Sequence, residues 1–237
     1  SPNPSEGILN LQRTGLLGFI VPELEETVGF DQRNPNHNRD IFGHTLSVLD
    51  KCADDKLTMR LASLFHDIGK IRTFSIDEDG IGHFYGHEKV SITMTEKILR
   101  RLKYDNKTIK SVLFLVGNHM KKDISMKNLK KLCGESGSEI VFDLLNLQIY
   151  DALGSVNTDI SKILDNIDKL QSLLDEDTVF SRKDLDIDVK EDLINSGLVK
   201  EGKDVGIVLE ILLDKVLEDQ SLNRRDILID IVKEIAI

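Results

Sequence analysis

The chain has 237 residues, 40% of them hydrophobic, enough for one large or two small soluble domains with an ordinary core. Trp is absent, aromatics are 5% and there are four Pro, a balance that favours Leu/Ile/Lys/Asp-rich helices over a β-sandwich. The net charge of −10 excludes a general nucleic-acid-coating protein, and no apolar run reaches the roughly 18–20 residues of a membrane span.

Helical periodicity dominates from the start. The pattern predicts a helix over 6–17, a proline-marked break in "GFIVPELEE", a loop "GFDQRNPNHNR", and a helix over 40–53. A further helix begins at 58 and carries "LASLFHDIGK". The segment "TFSIDEDGIGHFYG" reads as a short hairpin, with Asp79-Gly80 as its turn. Helices are then expected over 87–103, 106–120, 125–132, 138–153 and 159–174. A linker-like "DEDTVFSRKDLDID" follows, and helices near 189–196, 204–218 and 224–237 close the chain. The expected organisation is an all-α bundle over 1–175 with a smaller helical region over 176–237.

Charge is uneven along the chain. From Lys97 to Lys131 eleven basic residues face two acids, Asp105 and Asp123, a local balance of +9. Such a run is either a solvated helix face or a phosphate-attracting patch. The two cysteines, Cys52 and Cys133, make no disulfide framework and fit a reducing, cytoplasmic setting. No signal-peptide pattern opens the chain. The first residue is Ser rather than Met, which suggests an excised piece of a longer protein.

Within "LASLFHDIGK", Leu57, Leu61, Leu64, Phe65 and Ile68 form an apolar stripe, while His66, Asp67 and Lys70 share another face. A wet helix face would look the same. Other polar residues interrupt apolar faces: His44 between Ile41 and Val48, His87 ahead of Val90, Met94 and Ile98, His119 after Val112 and Val116. Asp151 sits in "IVFDLLNLQIYDALG", in register with Leu144 and Leu147. A buried carboxylate costs several kcal/mol unless it is paired or bound to a cation. Taken singly, each is explained as a satisfied core histidine or a capped carboxylate. Five helices each presenting one inward ligand-type residue point to a transition-metal site of imidazole nitrogen and carboxylate oxygen. Mn, Fe, Ni or Zn suits that ligand mix.

The order His44, His66-Asp67, His87, His119, Asp151 resembles the HD superfamily of metal-dependent phosphohydrolases. That resemblance implies a helical HD-domain bundle in which His44, His66, Asp67 and Asp151 hold one divalent ion. His87 and His119 would complete a second site, with Asp67 bridging. It also implies hydrolysis of phosphomonoesters or 2′,3′-cyclic phosphodiesters on nucleotides or RNA ends, with Asp67 and Lys70 in catalytic roles and Mg as a further candidate ion. Lys70 would face the phosphate; a solvated lysine is the alternative. His83 and His37 lie in loops, and only His83 is considered as a substrate contact. The segments "GLLGFIVPELEET", "FGHTLSVLDK", "FYGHEKVS" and "GKDVGIVLEILLDKVLEDQSLNRRDIL" are similar to the HD-containing carboxy-terminal half of bacterial tRNA nucleotidyltransferases, the CCA-adding enzyme and poly(A) polymerase family. This likeness implies an RNA 3′ end, tRNA included, as partner, and no DNA. The +9 segment contains His119 and would flank the pocket mouth. "DLDID" at 184–188 mimics the acidic pair of a nucleotidyltransferase head, but no Gly-Ser turn precedes it, so nucleotidyl transfer is not expected of this chain. An RNA-binding body with a vestigial HD site is the alternative function.

Overall fold

The computed structural model describes residues 3–34, 39–52, 56–156, 159–176 and 178–235. The fold is all-α: thirteen α-helices and one two-stranded hairpin occur among the described residues. In chain order these are α1 (Pro4–Arg13), α2 (Leu17–Ile20), α3 (Pro22–Glu25), α4 (Ile41–Lys51), α5 (Leu57–Phe65) and α6 (Lys70–Thr73). Then come strands β1 (Ser75–Ile76) and β2 (Gly82–His83), followed by α7 (His87–Arg101), α8 (Asn106–Asn118) and α9 (Met126–Ser136). The chain ends with α10 (Ser138–Gly154), α11 (Ser161–Asp175), α12 (Lys203–Glu218) and α13 (Arg225–Ile235).

Side chains fix many of the helix ends. Asp40 accepts from Gly43 N at 2.7 Å and opens α4, Asp105 accepts from Thr108 N at 3.0 Å and opens α8, and Ser125 does the same for α9 at Asn128 N. The hairpin pairs Ser75 with His83 and Ile76 with Gly82, antiparallel, around Gly80 at φ +79. Gly82 is required there: a Cβ would meet the carbonyl oxygen of Gln32.

The chain forms two compact units. The first comprises residues 1–123 and 139–167, the second residues 124–138 and 168–237. In the first, Ile41, Val48, Phe65, Ile98, Val112, Leu115, Leu144 and Leu147 are buried core. In the second, Leu193, Leu212, Val216, Leu228 and Val232 form the core, and α9 belongs with it. Lys130 of α9 donates from Nζ to Leu217 O at 3.0 Å, and Gly134 lets the backbone of Phe180 pass where a Cβ would collide. The division thus differs from a boundary at 175, because α9 makes its ion pairs and the Lys130–Leu217 bond within the second unit.

Two predicted elements take a different form. The helix expected over 6–17 stops at Arg13, where Gly15 at φ +73 breaks it, and resumes at Leu17. The helix carrying the His-Asp pair ends at Phe65; residues 66–69 form tight turns, with Ile68 N bonded to Phe65 O and Lys70 N to Asp67 O. The expected end of the 40–53 helix at Ala53 lies outside the described residues, as does His37. The "DLDID" carboxylates serve the backbone. Asp184 accepts from Ser181 N, Asp186 from Arg225 N, and Asp188 from Lys190 N and Glu191 N, starting the π-helical stretch Val189–Asn195.

Candidate metal centre

Five helices deliver six buried side chains to one place in the first unit. His44 lies mid-way along α4 on the face that also buries Ile41 and Val48. Gly154 at the end of α10 makes room for its ring, since a Cβ there would come within 3.2 Å of His44 Cε1. His66 and Asp67 sit in the turn that leaves α5. Gly69 in that turn has no space for a side chain: a Cβ would lie 2.6 Å from Ser91 N and closer still to His87 O. Its N–H donates to Ser91 Oγ at 2.9 Å, which clamps the turn against the start of α7. His87 is the first residue of α7, after Gly86 in the left-handed region at φ +73. His119 follows α8, and Asp151 is near the end of α10.

The six residues form two groups, His44 with His66 and Asp151, and Asp67 with His87 and His119, each with its ligand atoms within 4.8 Å of one another. Asp67 faces both. Its Oδ2 is 3.7 Å from His44 Nε2 and 3.4 Å from His66 Nε2, while its Oδ1 is 3.2 Å from His87 Nε2 and 3.7 Å from His119 Nε2. Asp151 Oδ1 completes the first group, 3.0 Å from His44 Nε2 and 3.7 Å from His66 Nε2. Ligand atoms about 2.1 Å from an ion are themselves separated by roughly 3.0–3.5 Å in octahedral or tetrahedral arrangements, so these spacings suit transition metals.

The imidazole tautomers carry the same message. His66 Nδ1 is 2.8 Å from Ser63 O, His87 Nδ1 2.9 Å from Phe84 O, and His119 Nδ1 2.7 Å from Val116 O. His44 Nδ1 approaches Gly154 O at 3.3 Å. A carbonyl oxygen only accepts, so each Nδ1 carries a hydrogen and it is Nε2 that each ring turns inward, able to offer its lone pair once a cation replaces any proton there. His87 Nε2 and His119 Nε2 face each other at 3.3 Å, and buried His66 Nε2 has no hydrogen-bond partner. Inward lone pairs and carboxylates with too few hydrogens between them are a cavity built for cations. The donor set fits two divalent ions.

Electrostatics agree. Burial alone would raise the Asp67 carboxyl, but Lys70 and the surrounding imidazoles outweigh it and hold the group well below the usual carboxylate range. Asp151 is likewise held low, against its burial, by His44 and His66. Burial works against a charge on His66, yet Asp67 and Asp151 push its value up to about 10. Burial lowers His119. The site attracts positive charge.

Lys70 is no solvated lysine. It is 5% exposed, with Nζ 2.7 Å from Asp67 Oδ2 and 3.2 Å from Gln32 Oε1, over the Phe84 ring at 5.2 Å. Gln32, itself buried, donates from Nε2 to Arg39 O and so fixes that acceptor. Gln32, Gly69 and Ser91 escaped the sequence reading, because their roles rest on contacts far along the chain. Only the Gly within "HDIGK" offered a signal, as a residue without a side chain in a crowded turn.

A cleft of about 720 Å³ opens onto this centre, lined by Asp67, Lys70, His87 and Asp151 together with His83, Tyr85 and Lys122. Lys122 Nζ is 3.9 Å from Asp151 Oδ2. Lys122 is the member of the basic stretch that lines it. Elsewhere in that stretch Arg100 pairs with Glu96 and Arg101 with Glu23, while Lys127 and Lys131 of the second unit pair with Asp214. The stretch is therefore shared between the two units and partly neutralised by these ion pairs. No helix among the described residues is long and apolar enough to cross a membrane.

Comparison with known proteins places this geometry in context. The family described as HD domain matches residues 41–173, a span that includes all six side chains. The A-adding tRNA nucleotidyltransferase of Deinococcus radiodurans is 36% identical over 156 residues, covering 64% of this chain and 36% of that protein. The CC-adding tRNA nucleotidyltransferase of Thermus thermophilus is 37% identical over 125 residues, 51% of this chain and 29% of that protein. A multifunctional CCA protein of Pasteurella multocida is 32% identical over 110 residues, 43% and 26% respectively. The chain spans about a third of the length of the curated relatives it matches.

Proposed function

The chain belongs to the HD-domain family, and from that premise we propose that it is a metal-dependent phosphohydrolase acting on phosphomonoesters or 2′,3′-cyclic phosphodiesters of nucleotides or RNA ends. The observation that carries the reading is the division of Asp67: one carboxylate oxygen turned to each group of imidazoles, in a cleft open to a small substrate. His44, His66, Asp67 and Asp151 would hold one divalent ion, and Asp67, His87 and His119 a second. Mn, Fe, Ni or Zn is the candidate, with Mg the harder alternative. Held there, such ions would supply Lewis acidity towards a phosphoryl oxygen and would lower the pKa of water towards ~7.

The protein's own groups do the rest. The backbone carbonyls of Ser63, Phe84, Val116 and Gly154 keep hydrogen on Nδ1, so that no ring needs to turn when an ion enters. Lys70, buried and locked between Asp67 and Gln32, brings fixed positive charge to the cleft wall, where negative charge develops on a phosphoryl group. Lys122 adds a second cation from the opposite side of Asp151 and favours entry of an anionic substrate.

A second reading, an RNA-binding body of a tRNA nucleotidyltransferase-like protein whose HD site is vestigial, is favoured by the names of the relatives. One experiment separates the two. Purified protein reconstituted with Mn, Ni or Fe is assayed for bound metal and for release of phosphate from nucleoside 2′,3′-cyclic phosphates and monophosphates, beside a His66→Ala/Asp67→Ala variant. Metal-dependent turnover lost in the variant supports the hydrolase. Metal-free, inactive protein that binds tRNA equally well with or without the substitutions supports the vestigial site.

A further inference from the structure

The cleft has an aromatic feature that metal chemistry leaves unused. Tyr85 is 78% exposed, an extreme value for a large ring, and it lines the cleft a few residues from His87. It is held in place. Its ring stacks on His83 with centroids 5.2 Å apart and planes 7° from parallel, and its hydroxyl oxygen is 3.3 Å from His83 Nδ1. His83 is fixed in turn, with Nε2 2.7 Å from Asp77 Oδ2. Asp77 is anchored by the hairpin turn, accepting from Asp79 N at 3.0 Å and Ile81 N at 2.8 Å. One neutral tautomer satisfies the series: His83 Nε2–H donates to Asp77, and the Tyr85 hydroxyl donates to Nδ1. Among the described residues, no other ring packs on Tyr85.

An exposed ring pinned flat by a carboxylate–imidazole relay is a preorganised stacking surface. Loss of side-chain freedom has already been met before any ligand arrives, and a flat π face accepts any base without reading its edge. On the wall of the same cleft lie Lys70 and Lys122, cations suited to a phosphate. Resting on the phosphohydrolase reading above, we propose that Tyr85, backed by His83, is the platform on which the nucleobase of the substrate stacks. The site would thereby select nucleoside phosphoesters over phosphoesters that lack a base.

The test is equilibrium binding to the full chain in the presence of a chelator, which withholds the transition ions and so holds off turnover. The probes are adenosine 5′-monophosphate, ribose 5-phosphate and a three-nucleotide RNA ending in adenosine 3′-phosphate. The expected result is that the nucleotide binds about tenfold tighter than the sugar phosphate. Tyr85→Leu should collapse that ratio towards one, and Tyr85→Phe, which keeps the ring, should preserve it. Equal binding of the two probes by the unaltered chain, or a ratio untouched by Tyr85→Leu, overturns the platform. Circular dichroism of the variants checks that the fold is intact; if Tyr85→Leu disturbs it, His83→Ala, which removes only the backing ring, must lower the ratio in its place. Tighter binding of the trinucleotide assigns an RNA end as the source of the base, and equal binding assigns a free nucleotide. Hydrolysis in manganese is read separately. If it fails while the tenfold ratio stands, the phosphohydrolase reading falls and the base platform does not.

Discussion

Gly69→Ala is the smallest change that should disable the centre without touching a ligand. Its backbone at φ −73 suits alanine, so the penalty is purely steric. The new methyl would sit 2.6 Å from Ser91 N and 2.8 Å from Ser91 Oγ, and nearer still to His87 O. Ordinary carbon contacts lie at about 3.5–4.0 Å, so the turn or the first residues of α7 must move by ~1 Å. Two of the obstacles are backbone atoms, which cannot rotate away. Overpacking of this kind costs about 1–3 kcal/mol, which in a protein of this size lowers Tm by about 2–12 °C. The movement carries His87 away from Asp67, from which its Nε2 is now 3.2 Å. Under the two-ion reading, the variant should therefore lose the second ion more readily than the first. Hydrolysis should fall roughly 100-fold, as expected of a ~1 Å misplacement. Metal content by atomic emission, thermal unfolding and turnover form the assay. Gly206→Ala in α12 is the control, because nothing lies within 4 Å of its Cβ and the helix should gain about 0.5–1 kcal/mol. A Gly69→Ala protein with unaltered Tm and metal content would refute the claim that the His-Asp turn and α7 are interlocked.

Lys70→Met leaves the buried Asp67 carboxylate without its closest cation, and should cost about 3–5 kcal/mol in metal-free protein. Manganese should restore part of that loss, and denaturant titrations showing the same deficit with and without the ion would count against it. Saturating a site with an ion at about 100 times its Kd stabilises by about 2.7 kcal/mol, so dialysis against a chelator should lower Tm measurably. An unchanged Tm would mean that the six residues hold no ion. In the second unit, Arg225 holds the Asp192 carboxyl below the ordinary value of 3.8, through bonds of 2.7 and 2.9 Å. A depressed folded value gives stability that is complete above the unfolded value and lost as pH falls through the folded one. Asp192→Asn should thus be less stable than the parent at pH 7, with the gap closing below about pH 4. A constant gap across that range would be inconsistent with the ion pair.

Much of the architecture was legible because each helix states its own period. The hairpin was readable from Asp79-Gly80, and α10 from a nearly continuous apolar run that Asp151 interrupts. His44, His87, His119 and Asp151 stood out for a single physical reason: each replaced an apolar residue at a position the period assigns to the core. The end of α5 was not legible, since the pattern through Ile68 continues helically while the crowding at Gly69 comes from Ser91 and His87. Lys70 remained ambiguous because burial of a lysine depends on partners such as Gln32, 38 residues away along the chain. The pairing within the basic stretch was hidden for the same kind of reason. Sequence proximity grouped lysines and arginines whose acidic partners, Glu23 and Asp214, lie far from them in the sequence.

The course of the backbone between the two units has a practical consequence for anyone who wishes to divide the protein. The chain leaves the first unit at residue 123, returns at 139 and leaves again at 167, so no single cut yields two whole pieces. A truncation at 175 would retain α9 while discarding α12, leaving Lys130 without its acceptor Leu217 O and Lys127 and Lys131 without Asp214. Such a fragment would be destabilised for reasons unrelated to its histidines. Isolating the first unit calls for excising residues 124–138, joining the flanking ends with a linker and ending near residue 167, at the cost of the second unit, which loses α9.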